Sequence, residues 1–403
     1  MAIPLPSGVL PIRSLTTDEV LYGDRLTSYR WEVLEHADGE DRLVGQLDGV
    51  VDGSASLKWS VNEAVKGSGG LKVTDVDEPE PGLFAVNQLE LPKVRLRPVL
   101  AIDGLPEVPF GVFLVAAAPE EWSATGRLLS LELLDRSTVL DQDAVDESYT
   151  VGTSTPILSA VKSVIESAGE AITIDASVTT TLRDPMVWPA GTTKLQIVND
   201  LLSALNYSSL WVDGVGKFRA TPYVLPARRS LGYELLNGAE RKLVDGEESI
   251  YEQEWSRDLD MYRVPNKVIA VASGSGDAAP SIGIATNEDP ESPFSYQSRG
   301  NRWIVPDSGP LTVDVPDFSS AGDPVAATVA FLENAALRSL IARSSIQASV
   351  SVKHLPVPLR VSDVVRFQNT PAQINARHTV TQIDLEAHPL GLMKTTLQEV
   401  VDL

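Results

Sequence analysis

Residues 201–223 read LLSALNYSSLWVDGVGKFRATPY. Apolar residues at helical spacing give way at Asn206-Tyr207 to two short strand-like runs, one on each side of Asp213-Gly214-Val215-Gly216. The Gly216-Lys217 pair raises the question of a phosphate loop, which needs a glycine five positions before Gly216 and a Ser or Thr after the lysine. Those positions hold Trp211 and Phe218, so the phosphate reading fails. What remains is a helix feeding a β-hairpin whose Asp-Gly-Val-Gly turn supplies the positive φ angles of a tight reversal. The stretch builds a scaffold and carries no reactive group.

Upstream, the first 150 residues have the same character. Thr27, Tyr29, Trp31 and Val33 alternate with Ser28, Arg30 and Glu32, which predicts a strand with one buried face, and Ala37-Asp38-Gly39-Glu40 turns the chain back. Short strands are expected over 43–47, 55–60, 71–74, 94–102, 111–116 and 128–134. Asp48-Gly49, Asp52-Gly53, Gly67-Ser68-Gly69-Gly70, Glu78-Pro79-Glu80-Pro81 and Asp103-Gly104 punctuate them as turns, the rhythm of a small antiparallel barrel. At Thr155-Pro156 the period changes. Thr155 is the expected cap, Pro156 the first helical position, and Ile157, Val161, Val164, Ile165 and Ala168 an apolar stripe that Gly169 ends. A second helix from about Thr193 carries Leu195, Val198, Leu202 and Leu205 and leads into the hairpin.

Downstream, strands return over 248–272. Residues 273–310, rich in Gly, Ser, Pro, Asp and Asn, read as a long exposed loop or small lobe. Asp323-Pro324 opens the longest helix, with Val325, Val329, Leu332, Ala336 and Leu340 in one stripe. Ile346, Ala348, Val350 and Val352 then alternate, and 379–386 pairs with 393–400 across His388-Pro389-Leu390-Gly391. The fold class is therefore β-rich α+β and multidomain: a β-barrel domain over 1–150, an α/β insertion over 151–240, a β domain with a long loop over 241–320, and a helix plus β domain over 321–403 that contributes to a second barrel.

A chain of 403 residues is long enough for several cores, since a single core stops growing at roughly 250 residues. No apolar run approaches the ~20 residues of a membrane span, so none is expected. The start, MAIPLPSGVLPIRS, lacks the basic region and small-residue cleavage site of a secretion signal. The absence of cysteine removes disulfide, iron-sulfur and thiol chemistry and fits synthesis in a reducing cytoplasm. A net charge of −22 opposes the basic face of a nucleic-acid binder. That acidity serves solubility, or a conduit wall that does not hold DNA.

Chemistry is sought in vain. His36, His354, His378 and His388 lack the short spacings of zinc sites, although a hairpin could bring His378 and His388 near Asp384; histidines at such turns and strand ends read as surface residues. Gly53-Ser54-Ala55-Ser56 and Ser273-Gly274-Ser275-Gly276 are loops and not nucleophile elbows. Asp75, Asp77, Glu78 and Glu80 lack the glycine and terminal glutamate of a calcium loop and read as a solvated turn. Of the tryptophans at 31, 59, 122, 188, 211, 255 and 303, Trp31, Trp59, Trp211 and Trp255 sit in strand contexts where burial is the default. Exposed Trp303 and Tyr296 would be the aromatics of a glycan-binding module. No catalytic, cofactor-binding or metal-binding residue is assigned, and no cofactor is expected.

Two segments carry a resemblance. Residues 46–60, QLDGVVDGSASLKWS, continuing through 65–73, VKGSGGLKV, are similar to the opening of minor tail proteins from phages of actinobacteria. Residues 109–114, PFGVFL, leading to 131–137, LELLDRS, resemble the strand pair that follows there. Residues 206–222 resemble a recurrent helix-and-turn element. Residues 359–367, LRVSDVVRF, look like a strand start that in related proteins has glycine before the aspartate, where this chain has Ser362. The wider family is the tail hub of long-tailed phages, baseplate-hub-like in fold, with the same order of domains. The resemblance implies a non-enzymatic virion protein at the tail tip, assembled in the host cytoplasm. It implies a homotrimer whose barrel-like, tube-like domains ring a DNA channel and adapt the sixfold tail tube to a threefold tip. The implied partners are the distal tail protein, tail tube protein, tape measure protein and a central fibre or tip protein. The alternatives from other classes are a tail-associated peptidoglycan hydrolase and a host-receptor or glycan-binding tail module.

Overall fold

A computed structural model describes residues 16–401 apart from 125, 175–177, 235, 237, 248, 260–263, 274–279 and 346–347. After helix α1 (Thr17–Leu21), the first half holds β1 (Thr27–Ala37), β2 (Glu40–Leu47), β3 (Ser56–Ser60), β4 (Gly67–Thr74), β5 (Leu83–Phe84), β6 (Val94–Ile102), β7 (Val108–Pro109), β8 (Phe113–Ala117), β9 (Glu120–Ser123) and β10 (Gly126–Asp135). A helical stretch follows: α2 (Thr138–Gln142), β11 (Tyr149–Val151), α3 (Ile157–Ser167), β12 (Met186–Trp188), α4 (Lys194–Ser203), β13 (Trp211–Val212) and β14 (Phe218–Arg219). The rest comprises β15 (Lys242–Leu243), β16 (Tyr251–Leu259), β17 (Lys267–Ala272), β18 (Ile282–Thr286), β19 (Leu311–Val313), α5 (Pro324–Ser345), β20 (Ala348–His354), β21 (Val364–Asn369), β22 (Ile374–Glu386) and β23 (Met393–Glu399).

The two ends of the chain form one sheet. Its path runs β16-β20-β23-β22-β3-β4-β10-β8-β6-β1-β2-β5, and the seam is the antiparallel pairing of β22 with β3, where Ile383 faces Trp59 and Asp384 faces Lys58. The β-rich α+β reading holds, with the large sheet an open path and not a closed barrel. One buried face of this sheet gathers Val33, Leu57, Leu71, Phe113 and Leu131 from the first half with Val352, Phe367, Ile383 and Leu397 from the last. Covering that much apolar surface is what holds the halves together.

Local chemistry explains most elements. Asp38 and Gly39 both take positive φ, 52° and 79°, which makes the tight β1/β2 hairpin. The predicted alternation in β1 fails at Glu32, which is buried because its carboxylate accepts from Arg97 Nε at 2.5 Å and Arg30 Nη2 at 2.9 Å. The Gly67-Ser68-Gly69-Gly70 run is not the expected turn; it is the first half of β4. A Cβ on Gly69 would stand 2.6 Å from Ser56 O and 2.7 Å from Leu57 Cδ2, so the glycines serve close strand approach.

The helices α3 and α4 build a second core with Val151, Trp188, Leu210 and Phe218. Gly169, at φ 77°, ends α3 as predicted, but the cap residue is Pro156 and Thr155 makes no capping bond. Thr193 caps α4, its Oγ1 accepting from Gln196 N at 3.2 Å.

A third core joins α5 to the sheet β18-β17-β19 through Leu332, Ala336, Leu340, Val268 and Ala270. One expectation changes here: Val325 is 70% exposed and leaves the predicted stripe. Of the two readings of 273–310, a long loop or a small lobe, the second fits β18, which pairs with β17 and packs on α5. Ile346 lies outside the described residues, while Val350 and Val352 point inward as expected. No apolar run was expected to approach a membrane span, yet Pro324–Ser344 is long and apolar enough by length and composition. In this fold the helix packs on a sheet, and it carries Glu333 and Arg338, the latter donating to Tyr207 O at 2.8 Å.

Candidate functional site

Three features of the arrangement bear on function. The first is a buried charge cluster where the α/β unit meets the large sheet. Glu170, just past α3, receives Arg95 Nη2 from β6 at 2.5 Å and Arg136 Nε at 2.7 Å. Asp41 of β2 receives Arg95 Nη1 at 3.1 Å, Arg136 Nη1 at 2.9 Å and approaches His36 Nδ1 at 2.8 Å. Arg136 also donates to Gly39 O and Gly216 O and lies 5.5 Å from the Phe218 ring. Charges at this depth are tolerated only when paired this fully. No short-range pattern announces the cluster, since its members stand at positions 36, 41, 95, 136 and 170.

The second is a cleft of about 440 Å³ between the ends of β7 and β8, the β13/β14 hairpin and residues 358–363. Asp213 organises the hairpin: its carboxylate accepts from Val215 N at 3.0 Å, Lys217 N at 2.9 Å and Arg219 Nε at 2.8 Å. Only Gly216 takes positive φ, at 90°; Gly214 is required because a Cβ there would stand 2.3 Å from Pro109 O. Lys66 lines the cleft, donating to Ser209 Oγ at 2.6 Å and Leu210 O at 3.0 Å. Burial lowers its amine to about 8, against the pull of nearby Asp135. Burial in turn raises the Asp135 carboxyl, which bonds from Ser137 and Gly67 N oppose. A depressed lysine is a feature of some catalytic sites; here its hydrogen bonds go to Ser209 and Leu210, which lead into β13, and so tie that segment to the large sheet.

The third is the outward face of the large sheet. A row of side chains crosses it in register, Lys353, Lys394, Asp384, Lys58, Ser68 and Leu134, with Glu386, Ser56, Gly70 and Glu132 in the next row. They floor a trough of about 720 Å³. Lys58, Lys353 and Lys394 balance Glu132, Asp384 and Glu386, so the chain's acid surplus does not lie on this face.

The residues weighed from sequence disperse. Among the described residues no group of three His, Asp or Glu side chains could hold a metal ion. His378 is buried beneath Phe367 and is not the expected surface residue, because its position shares parity with Val380 on the inward face of β22. His354 is buried too, between Leu355 O at 2.7 Å and Thr395 Oγ1 at 3.2 Å, while His388 lies 3.8 Å from Glu386. Asp75 stands 3.9 Å from Arg127. Trp31 is buried, and Trp59 and Trp211 line the cleft. Trp255 packs edge-on against Phe367. Trp303 is only 37% exposed, stacked on Tyr296 at 4.3 Å with Lys267 Nζ 5.3 Å from its ring.

The same architecture exists in solved proteins. The chain is similar to a tail protein from Neisseria meningitidis MC58 at a TM-score of 0.55 and 13% identity, over 92% of this chain and 97% of that one. The fold is that of a tail protein. A 43 kDa tail protein of prophage MuSo2 from Shewanella oneidensis matches at 0.55 and 11% identity, over 91% and 98% of the two chains. Prophage tail protein gp18 from Listeria monocytogenes EGD-e matches at 0.51 and 14%, over 91% and 94%. No protein-family profile and no curated protein sequence matches the chain. At these identities the likeness establishes the shared fold.

Proposed function

We propose that this chain is a structural protein of a phage tail, a hub at the distal tip that works through shape and interfaces. The observation that carries the reading is the tail-protein fold extending over nearly the whole of this chain and of its structural neighbours, which leaves little of either chain unmatched. Three copies form a ring that adapts the sixfold tail tube to a threefold tip, in contact with distal tail, tube, tape measure and fibre or tip proteins. The trough on the large sheet suits a wall along which DNA passes, because its three lysines and three carboxylates give it no net grip on phosphate.

Light scattering of the purified chain tests the reading. A mass near three times 43.4 kDa, alone or once tail partners are added, is the expected result. A monomer that stays monomeric beside those partners and degrades cell wall would overturn it in favour of the hydrolase.

A further inference from the structure

The lobe formed by β17, β18, β19 and α5 ends in an open strand edge, because β18 is the outer strand of the order β18-β17-β19. Ala272 N donates to Ser281 O at 3.1 Å and Asn287 N to Asn266 O at 2.8 Å, which sets the alternation of the antiparallel ladder. Ser281, Gly283, Ala285 and Asn287 turn their backbone groups toward β17, and Ile282, Ile284 and Thr286 turn theirs away. Among the described residues no backbone hydrogen bond reaches the N–H or C=O of those last three. We infer that this edge receives an extended segment of a neighbouring tail protein as a further strand of the sheet. That the neighbour is a tail protein rests on the function proposed above; the open edge does not.

An edge meant for solvent is blunted by charge, proline or a bulge. β16, an end strand of the large sheet, follows that rule: exposed Glu252, Glu254, Arg257 and Asp258 lie along it, and its register shifts between Tyr251 and Trp255. β18 has none of these devices. Its register with β17 is unbroken, and Ile282 and Ile284 stand 46% and 47% exposed. Val271 and Ile269 lie opposite them on the same face, so four branched aliphatic side chains form a block beside the free backbone groups. Strand addition uses both features, main-chain bonds for affinity and a side-chain row for specificity. The added segment therefore presents aliphatic residues at every second position.

Two observations favour a different chain over a second copy. α5 lies directly over β18, since a Cβ on Gly283 would stand 2.3 Å from Glu333 N. Two β18 strands paired along their length, about 4.8 Å apart, would bring two such helices to about 8 Å or less, at or inside the closest spacing of packed helices. The occupant carries no helix on that side. Charge gives the second observation. Glu288, Asp289 and Glu291 are exposed just past β18, and residues 280–291 hold no lysine or arginine with which a paired copy could meet them. A segment with basic residues after its aliphatic positions does meet them.

The probe is a short acetylated peptide that alternates threonine with valine and ends in two arginines, added to the purified full chain. Anisotropy of a dye on the peptide reads binding, and hydrogen exchange reads its place. The expected result is saturable binding with a Kd below about 1 mM and slowed exchange over 281–287, with affinity cut about tenfold by Ile282→Glu with Ile284→Glu. The new carboxylates attract the arginines, so that loss reports the apolar row. The same peptide N-methylated along its backbone is expected not to bind. No saturation by about 1 mM, equal binding of the N-methylated peptide, or protection confined to other parts of the chain overturns the inference. So does a peptide-free protein whose mass by light scattering falls on the double substitution, because a second copy then covers β18. The parent's own mass tests the ring and not this edge, so the two readings fail separately.

Discussion

Ser362 takes φ 72°, a left-handed conformation in which a Cβ is strained. Related tail proteins were expected to have glycine there, and the backbone retains the glycine conformation even though the side chain differs. Ser362 N donates to Val380 O at 2.7 Å and Ser362 O accepts from Arg229 Nη1 at 2.8 Å, bonds that lock the turn. Ser362→Gly is expected to raise unfolding free energy by about 0.5–1 kcal/mol and Ser362→Val to lower it by about 1–2 kcal/mol. Denaturant midpoints of the three proteins decide, and a destabilised glycine variant would refute the strain account. His354 gives a pH prediction. Burial lowers its imidazole to about 4 from an ordinary 6.5, so the ring is neutral in the folded protein. The unfolded chain takes up a proton below pH 6.5 while the folded one does not until about 4, so stability is full above the unfolded value and falls as pH drops between the two. The loss approaches about 3 kcal/mol, and His354→Gln is expected to flatten that part of a stability-against-pH curve. The inward position of His354 was legible, since it shares parity with Val350 and Val352; its bonds to Leu355 O and Thr395 were not, because the second partner comes from a different strand.

At the scale of elements, β18 shows where pattern reading breaks down. Its sequence Ile282-Gly283-Ile284-Ala285 alternates in the inverse sense: the isoleucines face out, 46% and 47% exposed, and the small residues face in. A run with a central glycine and outward isoleucines looks like a loop, but the inward face is small because α5 lies directly on it. A Cβ on Gly283 would stand 2.3 Å from Glu333 N and 2.4 Å from Leu332 C, both backbone atoms that cannot give way. Gly283→Ala is therefore expected to cost about 1–3 kcal/mol by forcing β18 off the helix. Gly152→Ala, at a position with no atom within 4 Å and no positive φ, is expected to stay within about 0.5 kcal/mol of the parent. Equal melting shifts for the two would show that the close approach is not what constrains β18. Crowding alone does not separate Gly67-Ser68-Gly69-Gly70, a strand, from the Asp213 turn, since glycines of both meet close neighbours; the turn is marked by Gly216 at φ 90°, and no glycine of the strand run takes positive φ.

The order of units along the chain was legible because helices α3 and α4 make their core with residues near in sequence. The shared sheet was not, because β3 finds β22 only across most of the chain, and no periodicity reports such a partner. The charge cluster fastens these local and non-local parts together, alongside Gly111 N to Gly214 O and Lys66 to Leu210 O, and as the buried ionic part of that joint it is expected to decide whether the molecule unfolds as one body. Glu170, with a side chain only 1% exposed, is the only carboxylate that the α/β unit contributes to it; Asp41, the other, comes from the sheet. Glu170→Gln leaves the guanidinium groups of Arg95 and Arg136 buried against Asp41 alone, and breaking a buried pair in this way costs about 3–5 kcal/mol. The groups are shielded from solvent ions, so added salt does not restore the loss, as it would mask one at the surface. Because the contacts cut are those between the α/β unit and the sheet, the variant is expected to melt in two stages. Emission from Trp188 and Trp211, which belong to the α/β unit, changes first, and the β signal of the sheet follows at the parent temperature. A single transition with less than about 1 kcal/mol lost would mean that apolar contacts alone couple the two cores and that the cluster merely tolerates its own burial.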